Sequence, residues 1–165
     1  MEIPKNVQKF CDYAWNRAKE LLDKEGHVMS AVFMLKERKV SVLPAVFEDE
    51  EEKAAFFAAC SKAAKHLEAE AVVMIAEAWR LYGGEDWTHK EMEQELDNHS
   101  DKIEILFLLC MLPSGHTFGK TAVMIRVGNS IALIDEIEIA GEEPLKWSRM
   151  KPWGYHEGAE EDNGS

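Results

Sequence analysis

Apolar positions at Val7, Phe10, Cys11, Ala14, Ala18, Leu21 and Leu22 recur every three or four residues, which gives one greasy helix face. Pro4 suits the first turn of that helix, having no amide hydrogen to leave unsatisfied, and Gly26 follows as a left-handed stop. The period then changes. Residues 28–36 and 40–47 are β-branched and aromatic around the charged Glu37-Arg38-Lys39, a hairpin pattern. Pro44 cannot donate to a ladder, so the second of these strands belongs at a sheet edge.

Asp49 followed three residues on by Glu52 is a capping box, and acids crowd the first turn where the helix dipole favours them. The helix it opens, Glu50–Leu67, is rich in alanine, which permits close approach to a sheet, while Phe56, Phe57, Cys60 and Leu67 widen the contact. Residues 71–82 form a long apolar run that reads as a buried strand carrying Glu77, Trp79 and Arg80 inside it. Gly83-Gly84 ends the run, and Thr88 with Glu91 repeats the capping pattern ahead of a short acidic helix to about Asp97. Three more strands follow: 102–112, 118–127 and 130–139, joined by Pro113-Ser114-Gly115 and by Gly128-Asn129. Turns that short make an antiparallel meander the simplest topology.

These elements predict an α+β fold: an antiparallel five- to six-stranded sheet with two long helices packed on one face, in the order α-β-β-α-β-(short α)-β-β-β. Residues 1–141 read as a single domain, and 142–165 as a polar tail interrupted by Trp147, Trp153 and Tyr155. Trp147 is expected to fold back on the core; Trp153 either does the same or, with Tyr155, meets a partner. The element order resembles the roadblock and profilin-like arrangement, in which a hairpin, a crossing helix and a meander share a sheet. A strand ending in Glu77-Ala78-Trp79, a polar insertion, and then Ile103-Glu104-Ile105-Leu106 resembles small uncharacterised bacterial and phage proteins over about a third of the chain. That resemblance implies no activity, only that Glu77 and Trp79 matter.

Acidic residues outnumber basic ones 31 to 19, for a formal charge of −12. A chain so charged has no basic stripe to neutralise phosphates, so direct nucleic-acid binding is not expected. Attraction to anionic membrane is equally disfavoured. The acids fall in separate places with lysines between them, and solubility accounts for that better than mimicry of a nucleic-acid backbone. Cys11, Cys60 and Cys110 lie in apolar segments with no Cys-x-x-Cys pair, so they read as buried free thiols of a reducing compartment. No basic-then-apolar leader and no apolar run of membrane length is visible, so a soluble, cytoplasmic protein is expected.

Alternation along residues 71–82 puts Glu77 and Trp79 with Val73 and Ile75 on one sheet face, and Arg80 with Met74 and Ala76 on the other. Glu104 shares a face with Leu106 and Leu108, and Arg126 with Ala122 and Met124. Charges in such places are costly unless paired, so a Glu77–Arg126 or Glu104–Arg80 pair is sought, with Trp79 as the wall of a polar pocket. A partly wetted sheet face accounts for them more simply. His89, Glu93, Asp97 and His99 follow one line of the short helix without a second ligand cluster, so no metal and no cofactor is expected. Ser114 two residues from His116 reads as turn chemistry. Gly119-Lys120-Thr121 closes no phosphate loop, because a strand and not a helix follows it.

No nucleophile, base and oxyanion donor are visible together. The expectation is therefore a non-enzymatic binding module, homo-oligomeric or with a protein partner, using a sheet edge or an exposed sheet face. The alternatives are an acidic inhibitor that imitates nucleic acid, and a ligand or enzymatic pocket around Glu77 and Arg126.

Overall fold

The computed structural model describes residues 2–80, 103–141 and 153, without the side chains of 79, 80 and 141. Helix α1 spans Lys5–Glu25 and α2 spans Glu50–Leu67; the strands are β1 Ala31–Lys36, β2 Lys39–Pro44, β3 Ala71–Arg80, β4 Ile103–Met111, β5 Thr117–Val127 and β6 Ser130–Gly141. They build one sheet in the order β2-β1-β3-β4-β5-β6, with every neighbouring pair antiparallel. The α+β class, the antiparallel sheet and the two long helices are as the hydrophobic pattern implied. The short helix expected near residues 88–97, with its histidines, lies outside the described residues.

The helix ends follow their signals. Gly26 adopts φ 81° and donates its amide to Leu22 O, closing α1 with a left-handed turn. Asp49 caps α2 by accepting from the Glu52 amide at 2.8 Å, and Glu52 returns the bond to the Glu48 amide, one residue earlier than the capping-box pattern places it. Pro44 ends β2, which is indeed an edge strand.

One placement differs from the expectation. The two helices cover opposite faces of the sheet, not the same one. Val7, Cys11, Ala14, Trp15, Ala18 and Leu22 of α1 join Val73, Ile75, Leu106, Leu108 and Cys110 in one cluster. Phe57, Cys60 and Ala64 of α2 join Val72, Met74, Ala76, Phe107, Leu109 and Met111 in the other. The reason is in the central strands: β3 and β4 are apolar on both sides over 71–76 and 106–111, so both sides need cover.

For Trp153 the structure decides between the two outcomes left open. The side chain is 3% exposed within the α2-side cluster, and its indole Nε1 donates to Ala69 O at 2.9 Å. It folds back on the core. Trp147 and Tyr155 lie outside the described residues.

Strand β6 carries a bulge. Val123 pairs with Ile134 and Thr121 with Ile137, so Asp135 and Glu136 stand opposite the single residue Ala122. Asp135 takes φ 51°, a conformation its short polar side chain tolerates. The extra residue turns Glu136 toward α1, where it accepts from Trp15 Nε1 at 2.9 Å.

Candidate polar site at the end of the α1 face

Three neighbouring strands change from apolar to charged at the same end of the sheet. Glu77 follows Val73 and Ile75 on β3, Glu104 precedes Leu106 on β4, and Arg126 follows Met124 on β5. Register and alternation place all three on the α1 face. There Arg126 Nε donates to Glu104 Oε2 at 2.9 Å, its Nη2 lies 3.6 Å from Glu77 Oε1, and its Nη1 donates to Gly26 O at 2.9 Å. One planar guanidinium thus ties β3, β4 and β5 to the turn that ends α1. The flat, forked donor set of arginine suits several acceptors at once, which a lysine ammonium cannot match. Gly26 O belongs to a helix C-terminus, whose partial negative charge also favours a cation.

The anticipated Glu77–Arg126 pair is therefore present, and Glu104 joins it. Of the two other residues singled out on β3, Trp79 stands opposite Glu104 and Arg80 opposite Ile103 in the ladder, while their side chains lie outside the description.

The cluster is half-buried: the side chains of Arg126, Glu77 and Glu104 retain 42%, 28% and 24% exposure. Ion pairs this wet contribute little, about 0–1 kcal/mol each. Glu77 is the strained member. Its Oε1 is enclosed and accepts no hydrogen bond among the described residues. Burial raises the Glu77 carboxyl above its ordinary value; Arg126 draws it back down, Glu104 pushes it up, and the Val28 amide and His27 favour the charged form. Beside the cluster an open groove of about 300 Å³ runs between the end of α1 and the β5–β6 turn, walled by Asp23, Gly26, Arg126 and Asn129.

Two features escaped the sequence reading. Glu136 gathers Trp15 Nε1, with Lys120 at 3.9 Å and Lys19 at 4.0 Å, and so clasps α1 to β5 and β6. It depends on the Asp135 bulge, which no glycine announces. Second, α2 does not cover the whole of its face. On β5 and β6 the side chains that point to the α2 side include Ile125, Val127, Ile134 and Ile137, which are 40%, 67%, 42% and 51% exposed. The alternation of Val123, Ile125 and Val127 along β5, on the side opposite Ala122 and Met124, was the available signal.

Ser114 Oγ and His116 Nδ1 lie 2.7 Å apart in the β4–β5 turn, and the His116 amide donates to the same hydroxyl. That is turn chemistry, with no acid positioned on the imidazole by any bond described. Among the described residues no group of three or more His, Cys, Asp or Glu side chains converges as a metal site. No helix among them is long and apolar enough to cross a membrane.

What the fold defines, then, is a three-layered α+β domain with a purely antiparallel sheet between two helices. The chain belongs to the family described as bacteriophage lambda protein ea47, which matches residues 2–157. It is a phage-type protein, in keeping with the likeness seen around Glu77-Ala78-Trp79. No match to it was found among curated proteins or solved structures.

Proposed function

We propose that the chain is an interaction module that self-associates through the uncovered half of its α2-side sheet face, and that it acts without catalysis in the cytoplasm. The observation that carries this reading is the strip Ile125, Val127, Ile134 and Ile137, an apolar surface with no charged side chain interleaved on that face among the described residues. Exposed apolar patches of this kind are characteristic of protein contacts. The three buried free thiols suit a reducing compartment.

A second copy is the occupant that fits the step in the molecule's profile. A helix layer is about 10–12 Å thick, close to the roughly 10 Å between stacked sheets. Two copies related by a two-fold axis can therefore lay their β5–β6 halves face to face, each α2 flanking the other's β6 edge. Such an isologous contact uses the same patch twice. Edge-to-edge pairing through β6 is opposed by its bulge and by Glu136 and Glu138.

Size-exclusion with light scattering tests the proposal. Wild type should run at twice the chain mass in the micromolar range, and Ile134→Glu with Ile137→Glu at the chain mass with an unchanged circular dichroism spectrum. A wild type that stays monomeric to about 100 µM, a range in which specific interfaces of standard size assemble, overturns it.

A second reading, a small-ligand site beside Arg126, draws on the open groove there. It predicts a thermal shift with small polar metabolites that Arg126→Met abolishes; a flat response to such a library rejects it.

A further inference from the structure

Strand β2 is an edge of the sheet, and all six of its residues, from Lys39 to Pro44, are exposed. Which of its backbone groups are spent on β1 follows from the hairpin. Glu37, at φ 55°, and Arg38 form a two-residue turn, so the flanking pair Lys36–Lys39 exchanges hydrogen bonds. The pairs Met34–Ser41 and Val32–Leu43, each two residues further on, do the same. The Ala45 amide, which donates to Ser30 O at 3.0 Å, continues this alternation. Val40, Val42 and Pro44 therefore turn their backbone groups away from β1. Pro44 has no amide hydrogen, so this outer rim offers two donors, on Val40 and Val42, and three carbonyls. Among the described residues nothing pairs with it.

The side chains beside the rim differ between the two faces. Val40 and Val42 are 43% and 57% exposed and stand opposite Leu35 and Phe33, on the α1 face. Phe33 meets Phe10 edge-on at 5.3 Å, and Phe10 lies 6.5 Å from Tyr13, so an aromatic ridge backs the two valines. On the α2 face Lys39 stands at the end of the strand, with Arg38 in the turn beside it. Both are exposed, and among the described residues neither is in an ion pair, whereas Lys36 is held by Glu68 at 3.6 Å. Strands β1 and β2 contain no acid.

We propose that β2 receives an extended, acidic segment of a partner protein as a further antiparallel strand, bonded to the rim at Val40 and Val42 and paired in charge with Lys39. Residues directly opposite one another in a ladder point to the same face. The partner residues opposite Val42 and Val40 therefore lie against the valines on the α1 face and are apolar. The residue opposite Lys39 faces the other way and is a carboxylate. Read from the partner's N-terminus, the segment is apolar, any residue, apolar, then Asp or Glu. Its main chain supplies the affinity and these three side chains the choice. A second copy fits the rim less well, because its own β2 has no carboxylate to set against Lys39. The proposal is independent of self-association through the β5–β6 face.

A display library of random octapeptides, selected against the full chain, tests it. The expected consensus is the four-residue pattern above, and a fluorescein-labelled peptide bearing it should bind saturably in anisotropy titrations. N-methylation of its two apolar residues removes the donors to the Val42 and Val40 carbonyls and should weaken binding about tenfold or more. Lys39→Glu should lower affinity for the acidic peptide about two- to fivefold and raise it for a counterpart with lysine in that place. Val42→Pro deletes an outward donor and no bond to β1, so it should bind no peptide; should that variant fail to fold, the charge exchange at Lys39 and the N-methylated peptide decide. A selection without consensus, a consensus with helical spacing or a basic residue, or binding indifferent to N-methylation would each overturn the proposal. So would a wild-type dimer that Val42→Pro disperses, which would give the edge to a second copy.

Discussion

Truncating Trp153 to alanine is the sharpest perturbation of this fold, because a residue twelve positions beyond the end of β6 fills its core. The indole is 3% exposed and contacts the cluster of Phe57, Cys60 and Ala64 on α2 with Val72, Met74 and Phe107 on the sheet. Removing a buried Trp or Phe side chain from such surroundings costs about 3–5 kcal/mol. The lost Nε1 bond also strands Ala69 O, itself on a residue 1% exposed, an unmade hydrogen bond that costs on the order of 1–3 kcal/mol. A domain of this size holds about 5–15 kcal/mol in all, so the variant should retain a minor part of it. Trp153→Phe keeps most of the volume and loses the donor, so its deficit should be about 1–2 kcal/mol. Urea unfolding followed by far-ultraviolet circular dichroism measures both, with a common slope. A Trp153→Ala midpoint equivalent to less than about 1 kcal/mol of loss would refute the claim that this side chain belongs to the core.

Two further outcomes follow from particular contacts. Glu77 has a folded-state carboxyl raised by burial, so its contribution is present below the ordinary carboxylate value and lost as pH rises through the raised one. The stability difference between wild type and Glu77→Gln should therefore shift against wild type from pH 4 to 7 in parallel urea titrations; a shift in wild type's favour would show that Arg126 outweighs burial. Gly119→Ala should cost more than about 2 kcal/mol, since the new Cβ would collide with the Leu108 carbonyl oxygen and part β4 from β5, and a variant melting with wild type would contradict that crowding.

Most element boundaries were legible because local chemistry sets them. Gly26, Asp49 with Glu52, and Pro44 act within a turn of their own position, and α2 begins and ends where its cap and its apolar stripe say. Alternation alone put Glu77, Glu104 and Arg126 on consistent faces, while the register that brings them together was not legible, because residues 81–102 join β3 to β4 in place of a short turn. Layering was less legible. Whether two helices share a face depends on whether the other face is apolar, and the unbroken run from Ala71 to Ala76 carried that information without a period to draw attention to it. Trp153 and Glu136 were beyond local reading for different reasons. The first acts across 84 residues on Ala69 O, and the second needs Asp135 in a left-handed conformation that its sequence neighbours do not require.

The charged cluster is best understood from where α1 stops. A helix of 21 residues is about 31 Å long, and an eleven-residue strand such as β5 runs to about 36 Å, so the sheet outreaches its cover by a residue or two. At that margin the strands exchange apolar side chains for Glu77, Glu104 and Arg126, and the arginine turns back to bind the last carbonyl of the helix turn at Gly26. Because each pair is partly wet, the cluster's value is positional: it fixes the helix end against three strands while leaving a groove beside it open. Among the described residues the opposite face has no such device. There α2 ends over β1, β3 and β4, and the isoleucines of β5 and β6 continue past it unguarded by charge. A sheet that closes its margin with ions on one side and leaves it greasy on the other carries an asymmetry that stability of the lone chain does not require, and a second copy laid on the greasy margin would account for it.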